Sequence, residues 1–392
     1  MNPPDPQPIA PFLEPRHVDL ARVAAEYAAR AIAPLPAPPD DAAARRAARE
    51  LAVRLGGAGA FAALVPPAHG GLDSAPDARA ACLWREALAA ASPLADAVFA
   101  LQALGSLPIA LAGGDELARR WLPEVAAGRA LAAFAMTEPE AGSDVAALAT
   151  RAARDGGDYV LDGTKHLISN AGIADFYCVF ASTDPAAGRR GISCFVVPAD
   201  TPGLRFVAAQ VLSEPHPLGE LAFEGCRVPA ANRLGAEGEG LKLGLATLDR
   251  LRPTVAAAAC GMAARALAEA LAWAGARRQF GRPLADLQLV QQKLARMATE
   301  LDAARLLTYR AARELDTGGG RATRAAAMAK LFATEAAQRI VDDAVQILGG
   351  RGVLAASPVD RLYRAVRALR IYEGTSEIQH LVIARELLRD PR

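Results

Sequence analysis

Apolar and polar positions divide the chain into three consecutive stretches. From about residue 16 to 130 the spacing is helical. In HVDLARVAAEYAARAIAP (17–34), Val18, Ala21, Ala25, Ala28 and Ile32 fall on one face, and Pro34 ends the run. LAVRLGGAGAFAALVPPAHGG (51–71) closes in a Pro-Pro and Gly-Gly loop. Further helices are predicted over 76–91 and 95–112, and DELARRWLPEVAAG (115–128) is a short one opened by acidic residues. From about 131 to 235 the period changes. DYVLDGTKHLIS (158–169), DFYCVFAS (175–182), GISCFVVPAD (191–200), GLRFVAAQV (203–211) and ELAFEGCRVP (220–229) are rich in aromatic and β-branched residues. Gly, Pro, Asp and Asn clusters separate them, the pattern of an antiparallel barrel or sandwich. From about 240 long helices return. Leu287, Val290, Leu294, Met297 and Leu301 lay one apolar stripe along LQLVQQKLARMATELDAARLL, which GGG at 318–320 ends. A second long helix runs to LGG (348–350), and a third leads into IYEGTSEIQ (371–379). The fold class predicted is α+β and multidomain: a helical domain over 1–130, a β domain over 131–238 and a helical bundle over 239–392. No repeat of 20–50 residues is visible.

Composition narrows the classes. Of 392 residues 52% are hydrophobic, but much of that is alanine, which buries little area per residue. The most apolar stretch, 254–276, carries Arg265 and Glu269 and lacks the roughly 20 unbroken apolar residues of a membrane span. Net charge is +1, so no nucleic-acid-binding surface is predicted. The cysteines, 82, 178, 194, 226 and 260, are odd in number and scattered, which argues against disulfides or zinc and for a reducing compartment. The leader MNPPDPQPIAPFLEP is proline-rich and unlike a signal peptide, so a cytoplasmic location is expected.

Several motifs bear on chemistry. GGAGAF (56–61) follows no strand, and GAEGEG (235–240) lacks the ending of a phosphate loop. The five histidines, 17, 69, 166, 216 and 380, are not spaced as metal ligands, and no metal is expected. In MTEPEAGSD (136–144), Thr137, Ser143 and Asp144 crowd a turn where helical and β patterns meet. That turn reads either as a ligand-binding loop or as an elaborate turn. RRQFG (277–281) offers guanidinium forks suited to phosphate, or positive charge complementing a helix C-terminus. Glu373 is either a solvated glutamate or a base. An apolar wall of Ile371 and Tyr372 would raise its pKa toward work on a carbon acid, and Gly374 would clear room for a substrate.

Eight motifs in order resemble the acyl-CoA dehydrogenase family over nearly the whole chain: AFAMTEPEAGSDV, DYVLDGTKHLISNAG, CFVVPADTPGL, FEGCRVPAANRLGAEGEG, LDRLRP, RRQFGRPLADLQ, VQILGGRGV and RALRIYEGTSEIQ. The resemblance implies that family's fold, with a C-terminal four-helix bundle, one FAD per subunit, and a homotetramer built as a pair of dimers. It implies that Phe134, Met136, Thr137 and Ser143 line the flavin, with Ser143 also near the substrate's pantetheine arm. Leu167 and Ser169 would lie against the isoalloxazine. Arg277, Gln279, Phe280, Gln346 and Gly350 would reach a neighbouring subunit's FAD, and Thr375 and Glu377 would hold FAD beside the base. Asp249 and Arg252 would sit at the mouth near the CoA, and Tyr372 and Gly374 beside the acyl group. The family takes its base from the IYEGT position or from an earlier helix. Here the earlier stretch, LATLDRLRP, has Leu and Asp in that register, so Glu373 is assigned.

The implied activity is α,β-dehydrogenation of an acyl-CoA, with Glu373 removing the α-proton, flavin N5 taking the β-hydride, and an electron-transferring flavoprotein receiving the electrons. Alternatives are an acyl-CoA oxidase, a family member with altered chemistry, or a flavin-binding scaffold without turnover. Leu167 and Ser169 stand where the family commonly has tryptophan and threonine, which bears on reoxidation. Chain-length choice is expected near ALQALGSLPIALAG, with Gln102, Leu104, Gly105 and Leu107 as candidates; short, branched and alicyclic acyl groups all remain open.

Overall fold

The computed structural model describes residues 6–72, 76–318 and 322–389. The first helical stretch holds α1 (Pro15–Tyr27), α2 (Asp41–Gly57), α3 (Ala78–Ala91), α4 (Pro93–Ala112) and α5 (Asp115–Ala126). The β stretch holds β1 (Ala132–Ala135), β2 (Arg151–Asp155), β3 (Asp158–Ser169), β4 (Phe176–Ser182), β5 (Ile192–Pro198), β6 (Leu204–Ala209), β7 (Leu218–Pro229) and β8 (Arg233–Leu234). There follow α6 (Gly240–Ala276), a small hairpin of β9 (Arg278–Gln279) and β10 (Arg282–Pro283), then α7 (Gln288–Thr317), α8 (Thr323–Leu348), α9 (Pro358–Leu369) and α10 (Ser376–Arg389). This is the helical, β, helical order expected. Of the glycine run after α7, residues 319 and 320 lie outside the described residues.

Packing gathers these elements into two compact units, and neither is a continuous stretch of chain. One comprises Met1–Pro36, Ala78–Asp96 and Asp249–Arg392, the other Ala37–Asp77 and Ala97–Leu248. In the first, α3 packs on α1 and α7, and α8 packs on α7, α9 and α10. Its core is built largely from alanine, with Ala256–Ala259 of α6 and Ala326, Ala329, Ala333 and Ala336 of α8 nearly inaccessible. Small side chains let helices approach closely, which recovers in contact density what each residue lacks in area. Arg79 of α3 ties this unit together by donating to Asp316 of α7 at 2.7 Å and to Glu14 at 2.7 Å.

Two expectations about helix faces change. Val18 is 41% exposed, and the buried face of α1 is His17, Ala24 and Ala25, continuing into Ala28 and Ile32. A π-helical turn over Ala28–Ile32 rotates the apolar stripe relative to an ideal helix. Leu287 is the N-cap of α7 and not part of it, while Val290, Leu294, Met297 and Leu301 do face the core. α4 and α6 are long and apolar enough to cross a membrane, yet 78% and 61% of their most apolar windows are buried inside the protein.

In the second unit one sheet runs in the order β6-β7-β3-β2-β4-β5-β8, with β1 beside β4. Most pairs are antiparallel, but β1 and β2 each pair with β4 in parallel, a departure from the all-antiparallel expectation. Every residue of β4 is buried, whereas β6 lies at an edge with most positions exposed. The β3–β7 register slips between Lys165 and Ile168, and within that bulge Leu167 takes a positive φ of 55°. A bulge re-aims a side chain at the cost of local pairing.

Candidate active site

In the sheet-containing unit, Lys165 of β3 points inward, where its ammonium donates to Glu138 at 2.7 Å and to the Met136 carbonyl at 3.1 Å. Glu138 also accepts from the Ala149 and Thr150 amides at 2.5 and 3.0 Å. One carboxylate thus ties the MTEPEAGSD turn to β3 and to the segment that enters β2. Burial alone would raise its pKa; Lys165, Thr150 and the Ala149 amide outweigh burial and hold it below the ordinary carboxylate value. Burial pushes Lys165 down to about 8, against the pull of Glu138.

The predicted flavin residues of this unit divide. Phe134 and Thr137 are half-buried and Ser143 is exposed, while Leu167 stands 50% exposed on its bulge. The Leu167 amide donates to Gln210 at 2.8 Å, and the Ser169 hydroxyl lies 2.7 Å from His216 Nε2. Met136 instead turns inward, leaving no room for a Cβ on Gly244, so its side chain is a packing group. Apolar surface from Phe134 and Leu167 beside the hydroxyls of Thr137 and Ser169 fits a flat ring with polar edges, as FAD presents. Of the chain-length candidates, Gln102 is fully buried and bonds β1, donating to Ala130 O and accepting from Ala132 N, both at 2.7 Å. Gly105 packs so tightly on β1 that a Cβ would meet Ala132 Cβ at 2.5 Å, and Leu107 is buried. Only Leu104 of these four remains half-buried.

In the helical unit, Glu373 has a positive φ of 53°, followed by Gly374 at 92°. Two donors converge on the Gly374 carbonyl, Lys330 Nζ at 2.7 Å and Gln379 Nε2 at 2.9 Å. Glu373 as a residue is half-buried, but its Oε2 is sealed from solvent and, among the described residues, accepts no hydrogen bond. Burial raises its pKa above the ordinary value, opposed by Arg85, Lys330 and Arg252 and reinforced by Asp96. A buried carboxylate oxygen without a donor is costly unless it has work to do. Asp249, the acid of the earlier helix, differs: one oxygen pairs with Arg252 and the other accepts from Thr323 at 3.0 Å.

Arg252 is 5% exposed, and its guanidinium pairs with Asp249, whose side chain is 28% exposed. Tyr372 and Ile371 are more exposed than an enclosing wall requires, at 39% and 54%. Thr375 accepts from the Ile378 amide at 3.3 Å and so caps α10, whose first turn contains Glu377. Arg277, Gln279, Phe280, Gln346 and Gly350 are all exposed. The β9–β10 hairpin turns through Phe280 and Gly281, with φ of 51° and 79°. Two positive φ values in a two-residue loop are the type I′ signature.

Sequence reasoning did not single out Glu138, Lys165, Arg85, Asp96 or Lys330. For Lys330 a signal exists, a lone lysine on the alanine face of α8 between buried Ala326 and Ala333.

Sequence models of the acyl-CoA dehydrogenase N-terminal, middle and C-terminal domains match residues 14–129, 133–226 and 238–388. The chain is 38% identical over 379 residues to the probable acyl-CoA dehydrogenase FadE25 of Mycobacterium tuberculosis, covering 96% of each. It superposes with a TM-score of 0.90 on a chain from a structure described as the electron transferring flavoprotein of Acidaminococcus fermentans, at 37% identity, covering 96% of this chain and 99% of that one. A glutaryl-CoA dehydrogenase from Mycobacterium smegmatis in complex with FADH2 gives 0.86 at 30% identity, with 98% and 97% covered.

Proposed function

Because the chain belongs to the acyl-CoA dehydrogenase family, whose members are FAD-dependent oxidoreductases acting on CH–CH groups, we propose that Glu373 is the base of its α,β-dehydrogenation. The observation that carries this reading is the contrast between two acids. Glu373 presents an enclosed, undonated oxygen and a raised pKa, while both oxygens of Asp249 are engaged. A base for a carbon acid needs a free lone pair and a proton affinity above that of a solvated carboxylate.

Within the reaction, FAD when bound supplies the acceptor for the β-hydride. Glu373 removes the α-proton and holds it on its carboxyl. Its left-handed backbone aims the carboxylate, and Gly374 offers no side chain to obstruct a thioester. Phe134, Thr137, Leu167 and Ser169 are the flavin-facing set, with Ser143 toward the pantetheine. Asp249 and Arg252 belong to the mouth near the CoA, with the Asp249 side chain 28% exposed and Arg252 paired to it. Arg277, Gln279, Phe280, Gln346 and Gly350 reach a second subunit's FAD in a homotetramer, and an electron-transferring flavoprotein takes the electrons. Five buried, unpaired thiols support a cytoplasmic setting.

Anaerobic mixing with a panel of short, branched and alicyclic acyl-CoAs tests the activity and ranks the substrates by flavin bleaching. Glu373→Gln, nearly isosteric, should keep FAD and bind acyl-CoA yet slow bleaching by about 10²–10⁴ or more. Reduction within a few-fold of wild type in that variant, with an inactive Asp249→Asn, would move the base to the earlier helix.

A further inference from the structure

Removal of the α-proton does not by itself explain what holds the Glu373–Gly374 turn in its left-handed conformation. Two consecutive left-handed residues, one of them a glutamate, are strained and persist only where surroundings over-determine them. Two side chains from different helices supply that constraint. Lys330 of α8, itself with no exposed surface, donates to Gly374 O at 2.7 Å. Gln379 of α10, also fully buried, donates to Gly374 O at 2.9 Å and to Glu373 O at 3.3 Å. Among the side-chain contacts described, Lys330 has no carboxylate partner in hydrogen-bond range; its one hydrogen bond is to a backbone carbonyl. A fully buried ammonium satisfied by a neutral acceptor is an expensive way to brace a turn. A glutamine or a serine would brace it without burying a charge, so the charge itself needs a reason.

We propose that Lys330 is the positioning residue for Glu373: its buried ammonium clamps the Gly374 carbonyl, fixes the left-handed turn that aims the carboxylate, and places a cation beside the acid. The inference rests on Glu373 acting as the base. The other charged groups facing this pair are Arg85 of α3, Asp96 of α4, Arg252 of α6, Glu335 of α8 and Glu377 of α10. Arg85 is held by Asp96 and Arg252 by Asp249, so each of those cations is partly neutralised where it stands. Lys330 is the cation attached to the turn itself. Burial lowers it to about 8, so its charge is present through the neutral range and fades above it.

The test is the pH dependence of anaerobic flavin reduction at saturating acyl-CoA, which rises with pH as the base loses its proton. Lys330→Met removes the charge and the donor. It should slow reduction about tenfold or more and move the acid limb to higher pH by about one unit, the effect of losing a nearby opposite charge. Acyl-CoA affinity should stay within a few-fold. Lys330→Arg keeps the charge, and its acid limb should coincide with wild type while the rate remains reduced. An acid limb unmoved in Lys330→Met overturns the proposal, leaving Lys330 a packing residue. If Lys330→Met fails to retain FAD, Gln379→Leu decides: it removes the second donor to the same carbonyl without touching a charge. It should slow reduction with the limb in place, and wild-type reduction there overturns the clamp. Glu373→Gln separates the two readings. If it reduces flavin with a wild-type limb, the base assignment has failed; if it is inactive while Lys330→Met keeps the wild-type limb, only the present inference has.

Discussion

Arg85 grips Asp96 with both Nε and Nη2, at 2.7 and 2.9 Å, and spends its remaining nitrogen on the Thr254 hydroxyl at 3.0 Å. Neither side chain has appreciable exposed surface. Arg85 is the strongest cationic influence on Glu373, and Asp96 works against it. Asp96→Asn therefore removes an anion and leaves the guanidinium uncompensated. Breaking one side of a buried pair should cost about 3–5 kcal/mol in denaturant unfolding. In the folded enzyme the acid limb of flavin reduction should move to lower pH, opposite to Lys330→Met. A limb that stays in place or moves upward would show that the Arg85–Asp96 pair does not tune Glu373 in this way.

Glu373→Gln should also change the pH dependence of stability. Burial raises the folded-state pKa of Glu373 above its ordinary 4.5. A carboxyl raised in this way contributes stability in full below the unfolded value and loses it as pH rises through the folded one. At neutral and higher pH the folded protein carries an ionised carboxylate, one oxygen of which is sealed from solvent and has no donor among the described residues. Glutamine has no such penalty. Thermal unfolding of the FAD-loaded proteins should find Glu373→Gln the more stable at pH 8, with the gap closing toward pH 4. A gap constant across that range would mean Glu373 is solvated.

Glu138 behaves in the opposite sense. Its pKa is lowered, so its stabilising contribution is present above 4.5 and lost as pH falls through the folded value. Glu138→Gln strands Lys165 in the interior, which should cost about 3–5 kcal/mol near neutrality, and the penalty should shrink in acid. The same change loosens the turn carrying Thr137 and Ser143, so FAD affinity should fall in a fluorescence titration. Adding Lys165→Met should recover most of the stability, because replacing both partners of a buried pair costs far less than removing one. No recovery in the double variant would mean that the amides of Ala149 and Thr150, not Lys165, are what Glu138 serves.

What the sequence made legible follows from how far each determinant reaches along the chain. The strand DYVLDGTKHLIS coincides with β3 because its pattern is local. β1 and β2 escaped notice because AAFA and RAARD are short, alanine-rich and weak in strand propensity, and become strands through their pairing with β4 and β3. The two units were also hidden. The start of α3 is anchored to Asp316, 238 residues away from Ala78, and nothing in spacing announces such a contact. Glu373 stood out because an acid, an aromatic and a glycine stand side by side, and the family resemblance, not that pattern, chose between a solvated glutamate and a base. Arg85 and Glu138 did not stand out, since their roles depend on partners distant in sequence.

Leu167→Trp should affect reoxidation more than reduction. Leu167 already occupies the left-handed conformation and is half-exposed, so an indole can project from the bulge without further backbone strain. The backbone is held there by Gln210, which accepts from the Leu167 amide and not from the side chain. In stopped flow, substrate reduction should change little, while reoxidation by oxygen or a flavoprotein acceptor should shift. Equal reoxidation rates would make Leu167 a packing residue.

Phe280 is 90% exposed at the tip of the β9–β10 hairpin, more than any other large hydrophobic side chain described. A bulky residue with φ of 51° is uncommon, and here the turn geometry demands it: Gly281 follows at 79°, completing a loop with both central residues left-handed. The hairpin thus holds an aromatic ring outward in a fixed pose, which is the behaviour of an anchor for a second chain. If that chain is another copy whose FAD this hairpin touches, assembly and flavin retention are linked, since each ligand stabilises the state that binds the other. Phe280→Ala should dissociate at higher protein concentration than wild type in light scattering and release FAD faster on dilution. Gly281→Ala should act in the same direction through backbone strain of about 1–2 kcal/mol, without removing the ring. Leu271→Ala is the control, an exposed leucine on α6 outside the hairpin, and should change neither measurement. A Phe280→Ala protein that becomes monomeric yet keeps its FAD through gel filtration would break the link and make Phe280 an assembly contact with no part in holding the cofactor.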